Sequence, residues 1–168
     1  TGFEDVDVEL RVGRGDWTDT PSEKLSDEYI VPICGIDLAK TVRKPEDLQN
    51  GPLIRILGQE ADWGRYFAAH EIAMPTGVSE YFVDTMTAAI ELAATGGGYA
   101  VVIKRLVDMA NAARPRVGVV GEAVPIPNAH YLMRPRSKRS KRPEVLLFEN
   151  WLREEFSKDA VFGSLISS

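Results

Sequence analysis

The chain has a single cysteine, Cys34, among its 168 residues, and only two histidines. One thiol excludes an internal disulfide framework and fits a reducing compartment, so a cytoplasmic protein is expected. Cys34 sits in an apolar run with no cationic neighbour to activate it, so a buried structural thiol is expected. His70 and His130 fall on separate segments without ligand-spaced Cys or His nearby, which argues against a metal centre. No apolar run reaches membrane-spanning length and there is no signal-peptide pattern, so no membrane partner is expected. A Gly-x-Ser-x-Gly elbow is absent. Gly96-Gly97-Gly98 follows a helical pattern and precedes a strand, the reverse of a phosphate-binding loop. These absences argue against an enzyme and no cofactor is expected; a catalytic α/β protein is kept only as a second alternative. A net charge of -5 and a pI near 5.1 argue against bulk nucleic-acid binding by this chain alone.

What is present supports a folded α/β protein. With 44% hydrophobic and 27% charged residues, the chain can bury a core as one domain or two small lobes. The stretch from Asp84 to Ile103 organises the rest. Asp84 is placed as an N-cap, and Met86, Ala89, Ile90 and Ala93 recur at helical spacing. The glycine run stops that helix, and Tyr99-Ala100-Val101-Val102-Ile103 reads as a strand covered on both faces. Such helix-then-parallel-strand units place ligands at helix N-termini and strand C-termini, so a binding site is expected near Asp84 and Thr85.

Before this unit, Val6 to Val12 alternates as a strand and Gly13-Arg14-Gly15-Asp16-Trp17 is a loop. Tyr29 to Cys34 is an apolar strand, whose Pro32 is expected at a strand end, an edge or a crossover. Ile36 to Lys40 and Pro45 to Leu48 are each long enough for a helical turn. Leu53 to Leu57 is a buried strand interrupted by Arg55, a charge that needs a partner such as Glu60 or Asp62 or a carboxylate ligand. Glu60 to His70 is an amphipathic helix with Trp63, Tyr66 and Phe67 towards the core. Val78 to Phe82 is a short strand. After Ile103 come a helix over Leu106 to Ala113, a brief strand near Val117 to Val120, and a last strand Ala129 to Met133. Arg134 to Arg142 carries six basic residues without interleaved aromatics, as expected of a solvated loop. Pro143 opens a terminal helix with Val145, Phe148, Trp151 and Leu152 on one face. The tail from Gly163 is expected to fray.

Taken in order, several of these segments resemble a known family. They are Arg11-Val12-Gly13-Arg14-Gly15-Asp16-Trp17, Asp27-Glu28 with Val31-Pro32-Ile33-Cys34, Pro45-Glu46-Asp47-Leu48, and Leu53-Ile54-Arg55 with Asp62-Trp63 and Phe67-Ala68-Ala69. Then come Asp84-Thr85 with Ala88-Ala89, Gly96 to Val101, Tyr131-Leu132, and Arg142-Pro143 with Phe148 and Trp151-Leu152. The succession is similar to the effector-binding domain of LysR-type transcriptional regulators, in the branch of glycine-cleavage activators and β-lactamase regulators.

The resemblance implies a periplasmic-binding-protein-like, type 2 fold. Two α/β lobes would be joined by two crossing strands, with residues 1–33 and 122–168 in lobe I and 34–121 in lobe II. It implies a small-molecule effector, carboxylate-bearing if Arg55 holds it, with Asp84, Thr85, His130, Gly13 and Arg14 as further effector-binding candidates. At His130 the family often has an aromatic residue, a departure that bears on effector preference or pH response. DNA contact would belong to a winged helix-turn-helix not present here, and the full-length protein would be a homodimer or tetramer. The first strand-helix-strand of lobe I also has no counterpart, and the chain starts without methionine, so an N-terminally truncated sensor domain is expected. A stand-alone solute receptor of the same fold is the first alternative.

Overall fold

The computed structural model describes residues 6–59, 61–134 and 142–164, with backbone alone at residues 61 and 159–164. The chain divides into two compact units, one made of residues 1–28 and 126–168 and the other of Tyr29–Pro125.

The larger unit is built on a mixed sheet. Its strands are β3 (Glu28–Gly35), β4 (Leu53–Ile56), β5 (Glu80–Val83), β6 (Tyr99–Ile103), β7 (Val117–Val119) and β8 (Val124–Ile126), in the order β5-β4-β6-β3-β7 with β8 also paired to β3. Strands β4, β5 and β6 run parallel, while β3 is antiparallel to β6 and β7. Helix α1 (Ile36–Ala39) and a 3-10 turn (Pro45–Asn50) follow β3. Helices α2 (Ala61–Ala69), α3 (Met86–Ala94) and α4 (Lys104–Asn111) each leave the C-terminal end of a parallel strand.

Because side chains alternate along a strand, Ile54, Ile56, Ala100 and Val102 face one way and join Ala89, Ile90, Ala93 and Val107 of α3 and α4 in one buried cluster. Leu53 and Val101 point to the opposite face and are buried as well. There α2 contributes Trp63, Tyr66 and Phe67, all buried; the Trp63 and Phe67 rings stack at 5.2 Å, and the Trp63 indole N–H donates to the Ile54 carbonyl at 2.9 Å. Coverage of both faces explains the unbroken apolar character of β6. Each large side chain fully buried here contributes about 1.5–3 kcal/mol.

Pro32 lies inside β3, not at its end or on an edge strand. In a strand the N–H and C=O of one residue point to the same side, and the Pro32 carbonyl accepts from Val120 N–H at 3.0 Å. The missing amide therefore faces the break between β7 and β8, where no ladder bond is lost. This is the third of the expected placements, since β3 is the strand by which the chain enters the larger unit.

The smaller unit has a three-stranded antiparallel sheet of β1 (Leu10–Gly13), β9 (Ala129–Met133) and β2 (Ser22–Lys24), with β9 central. Helix α5 (Pro143–Ser164) buries Val145, Glu149 and Leu152. This corrects the expected face. Phe148 and Trp151 stack on one another at 5.6 Å on the outer side and are about half exposed. The buried positions recur at four- and three-residue spacing, and the two aromatics lie one step around the helix from them. Most of the basic run, residues 135–141, and the last four residues of the expected frayed tail lie outside the described residues.

Candidate functional site

In the larger unit, the C-terminal ends of β4, β5 and β6 lie side by side because the strands are parallel. The turn at Leu57 to Gln59, the pair Asp84-Thr85 and the start of α4 therefore converge, the arrangement that forms ligand crevices in α/β sheets. Thr85, not Asp84, is the N-cap of α3: its backbone is extended and its hydroxyl accepts from Ala88 N–H at 3.2 Å. Both residue types cap helices, and the position is decided by where the backbone turns helical.

Arg55 does not pair with Asp62, and Glu60 lies outside the described residues. Among the described residues its ion-pair partner is Glu80, Nη1 to Oε1 at 3.0 Å, and its guanidinium sits 5.8 Å from the centre of the Phe82 ring. Parallel register sets this. Phe82 is directly opposite Arg55, and Glu80 is two residues before it on the same face. The side chain is 23% exposed, and its Nε is buried without a partner. The charge is thus tied to the edge strand, with one N–H open. Asp62 is half-buried, and burial raises its carboxyl above the ordinary range, partly offset by Arg65.

In the smaller unit, Gly13, Arg14 and Gly15 are placed by two aromatic rings. A Cβ on Gly13 would meet Trp17 at 2.8 Å; on Gly15, whose φ is +79°, it would meet the Tyr131 hydroxyl at 2.5 Å. Tyr131 O–H donates to the Arg14 carbonyl at 3.2 Å, and the Trp17 and Tyr131 rings meet edge to face at 5.3 Å. The Arg11 guanidinium lies 5.5 Å from the Trp17 ring centre and is held by Glu9 and Asp19. The loop is therefore rigidly shaped, with the Arg14 backbone as its bound element.

His130 occupies the other face of β9. Its Nδ1 lies 2.9 Å from Glu28 Oε1 and 3.1 Å from Ser26 Oγ, while its backbone N–H donates to Ser26 Oγ at 3.0 Å. The Glu28 side chain is only 3% exposed, and Phe156 of α5 covers the imidazole at 5.1 Å. Serine, histidine and acid here do not form a nucleophilic triad. Both oxygens address the same ring nitrogen, whereas a relay needs the acid and the hydroxyl on opposite nitrogens. Sequence reasoning missed Ser26 and Glu28, which sit in an acidic, turn-rich stretch without periodicity.

Asp84 and Thr85 are thus adjacent, with Arg55 on the neighbouring strand of the same unit, while Gly13, Arg14 and His130 belong to the other unit, with His130 on the face of β9 opposite Tyr131. Among the described residues, no group of three or more His, Cys, Asp or Glu could hold a metal ion, and no helix is long and apolar enough to cross a membrane. Cys34 is buried, and burial pushes its thiol up to about 11.

Comparison with known proteins adds a family. The model described as LysR substrate binding domain matches residues 4–157. A transcriptional regulator of the helix-turn-helix type from Sinorhizobium fredii, y4mQ, is 32% identical over 135 residues, covering 78% of this chain and 44% of the relative. The glycine cleavage system transcriptional activator of Escherichia coli K12 is 38% identical over 66 residues, 38% of this chain and 21% of that protein. The AmpR effector binding domain from Citrobacter freundii superposes with a TM-score of 0.72 at 23% identity, covering 91% of this chain and 76% of that one. The chain spans less than half the length of these two curated relatives.

Proposed function

The chain belongs to the LysR substrate-binding domain family, with the periplasmic-binding-protein-like type 2 fold of its effector-binding domains, and from that premise we propose that it senses a small metabolite for a transcriptional regulator. The observation that carries this reading is the α3 N-terminus, with Asp84 and Thr85, set at the joined C-terminal ends of three parallel strands. Amides at such a helix start favour an anionic group, so the effector is a small carboxylate. Within the smaller unit, Gly13, Arg14 and His130 are the further effector contacts proposed, and Gly13 and Gly15 keep the Arg14 loop in shape. Arg55 supports the edge strand, with its open Nε as the polar group it can still offer. DNA is contacted by a separate winged helix-turn-helix of the complete regulator, and effector binding shifts the balance between its conformations.

Self-association is the second half of the proposal. Strand β5 is the end of its sheet, and Tyr81 and Phe82 on it are 47% and 56% exposed. An edge strand left uncovered by the described residues and bearing aromatics is a pairing surface, and a second copy is the proposed occupant. Thermal-shift screening of small carboxylates should yield a stabilising compound whose affinity falls about tenfold in Thr85→Ala; unchanged affinity would remove Thr85 from the site. Sedimentation should show concentration-dependent association that Tyr81→Glu abolishes, and association unaltered by that change would exclude the β5 edge.

A further inference from the structure

We propose that the larger unit carries a second small-molecule site, distinct from the one assigned to Asp84 and Thr85, which takes a zwitterion of amino-acid size. Its wall is a depression of about 350 Å³ lined by Arg43, Lys44, His70, Gly121 and Glu122 among others. All of these residues belong to the 29–125 unit. The volume lies within the range of small-ligand pockets.

Two polar atoms at this wall have no partner. Tyr66 is fully buried at 0% exposure, and its hydroxyl makes no hydrogen bond. A Cβ on Gly121 would come within 2.1 Å of that hydroxyl, so the oxygen lies directly behind the lining backbone. His70 stands one helical turn further on, its ring 4.6 Å from that of Tyr66, and its Nε2 is likewise buried and unbonded. Buried polar atoms are almost always satisfied. His70, which lines the depression, therefore marks a place where an oxygen of a ligand completes the bonding, with the Tyr66 hydroxyl in the layer behind it.

The charges around the depression set its class. The Arg43 and Lys44 amides donate to Asp47 Oδ2 at 2.8 and 3.2 Å, which fixes the loop and occupies that carboxylate. The two cationic side chains form no ion pair among the described residues and are exposed. Glu122 supplies an exposed carboxylate of its own, close enough to add to the effect of burial in pushing the Tyr66 phenol up to about 12. Cations and a carboxylate around one small depression suit a molecule with a carboxylate and an ammonium. A bare anion would leave Glu122 opposing it.

The test uses the 168-residue chain and the ring nitrogens of its two histidines, observed by NMR with 15N-labelled histidine. The twenty common amino acids are titrated individually to about 10 mM, with propionate and propylamine as the two half-ligands. At least one amino acid should move the His70 signals saturably without moving those of His130. The half-ligands should bind at least tenfold more weakly, and the Arg43→Gln, Lys44→Gln double variant should weaken binding at least tenfold. Tyr66→Phe should fold with unchanged or higher stability. Four results would each overturn the assignment: no saturable movement at His70, equal binding of propionate, a destabilised Tyr66→Phe whose hydroxyl thereby proves structurally bonded, or loss of the His70 response in Thr85→Ala. The last would transfer the binding to the site of the proposed function and leave that function intact.

Discussion

Glu23 on β2 fastens α5 to the small sheet, and removing its charge should loosen that attachment by a predictable amount. Both carboxylate oxygens are used. Arg153 Nε and Nη2 donate to them at 2.8 and 3.0 Å, and Arg134 Nη2 adds a third bond at 2.8 Å. The two guanidinium groups, Arg153 first, hold the carboxyl down at about 2 against an ordinary 4.5. Were the group fully desolvated, that depression would correspond to about 3 kcal/mol. The Glu23 side chain is 25% exposed and Arg134 62%, and solvent screening reduces the figure to about 1 kcal/mol. The sign follows from the depression. The stabilisation is fully present above about 4.5, where the unfolded chain is also ionised, and is lost as pH falls from there towards 2. Urea unfolding of the wild type and Glu23→Gln at matched pH values isolates this group, because the other carboxylates cancel in the difference. The gap should be about 1 kcal/mol at neutral pH and close progressively below about pH 4.5. A gap that stays constant down to the lowest pH, or is absent at neutrality, would refute the reasoning.

Thr85→Ala should cost about 1 kcal/mol by removing the α3 cap, while Asp84→Ala should stay within about 0.5 kcal/mol; thermal melts of the two variants decide which residue caps. Cys34 should resist a thiol reagent in the native chain at about pH 8 and react once the chain is unfolded, since its thiol is buried and pushed up to about 11. Prompt stoichiometric labelling of the folded protein would contradict that placement. Gly98→Ala should destabilise by more than about 2 kcal/mol in denaturant titrations, because its φ is +134° and a Cβ would lie 2.4 Å from the Pro52 carbonyl oxygen.

Legibility in the sequence followed the range of the interaction. Helix α3, the glycine stop and β6 were readable because periodicity and uninterrupted burial act within about twenty residues. The cap was misplaced by one residue because Asp84 and Thr85 are both good caps, and only backbone geometry separates them. Glu80 as a partner of Arg55 was not readable. Glu80 lies 25 residues away and is brought near by the register of two parallel strands. Ser26 and Glu28 lie 104 and 102 residues from His130, and nothing local ties them to it. On α5, apolar residues fill too wide an arc between Val145 and Leu152 for spacing alone to choose the buried stripe.

The two rings that shape the Gly13 to Trp17 loop also impose an order on how it can change. A larger residue at Gly13 requires the Trp17 ring to shift or shrink, since the indole itself occupies the space. Gly15 is bound twice over: trimming Tyr131 would vacate the volume, yet the left-handed backbone would still favour glycine, with asparagine or aspartate next. Sequence drift in this loop should therefore be led by its aromatics, with the glycines following, and variant libraries that randomise the glycines alone should return mostly destabilised chains.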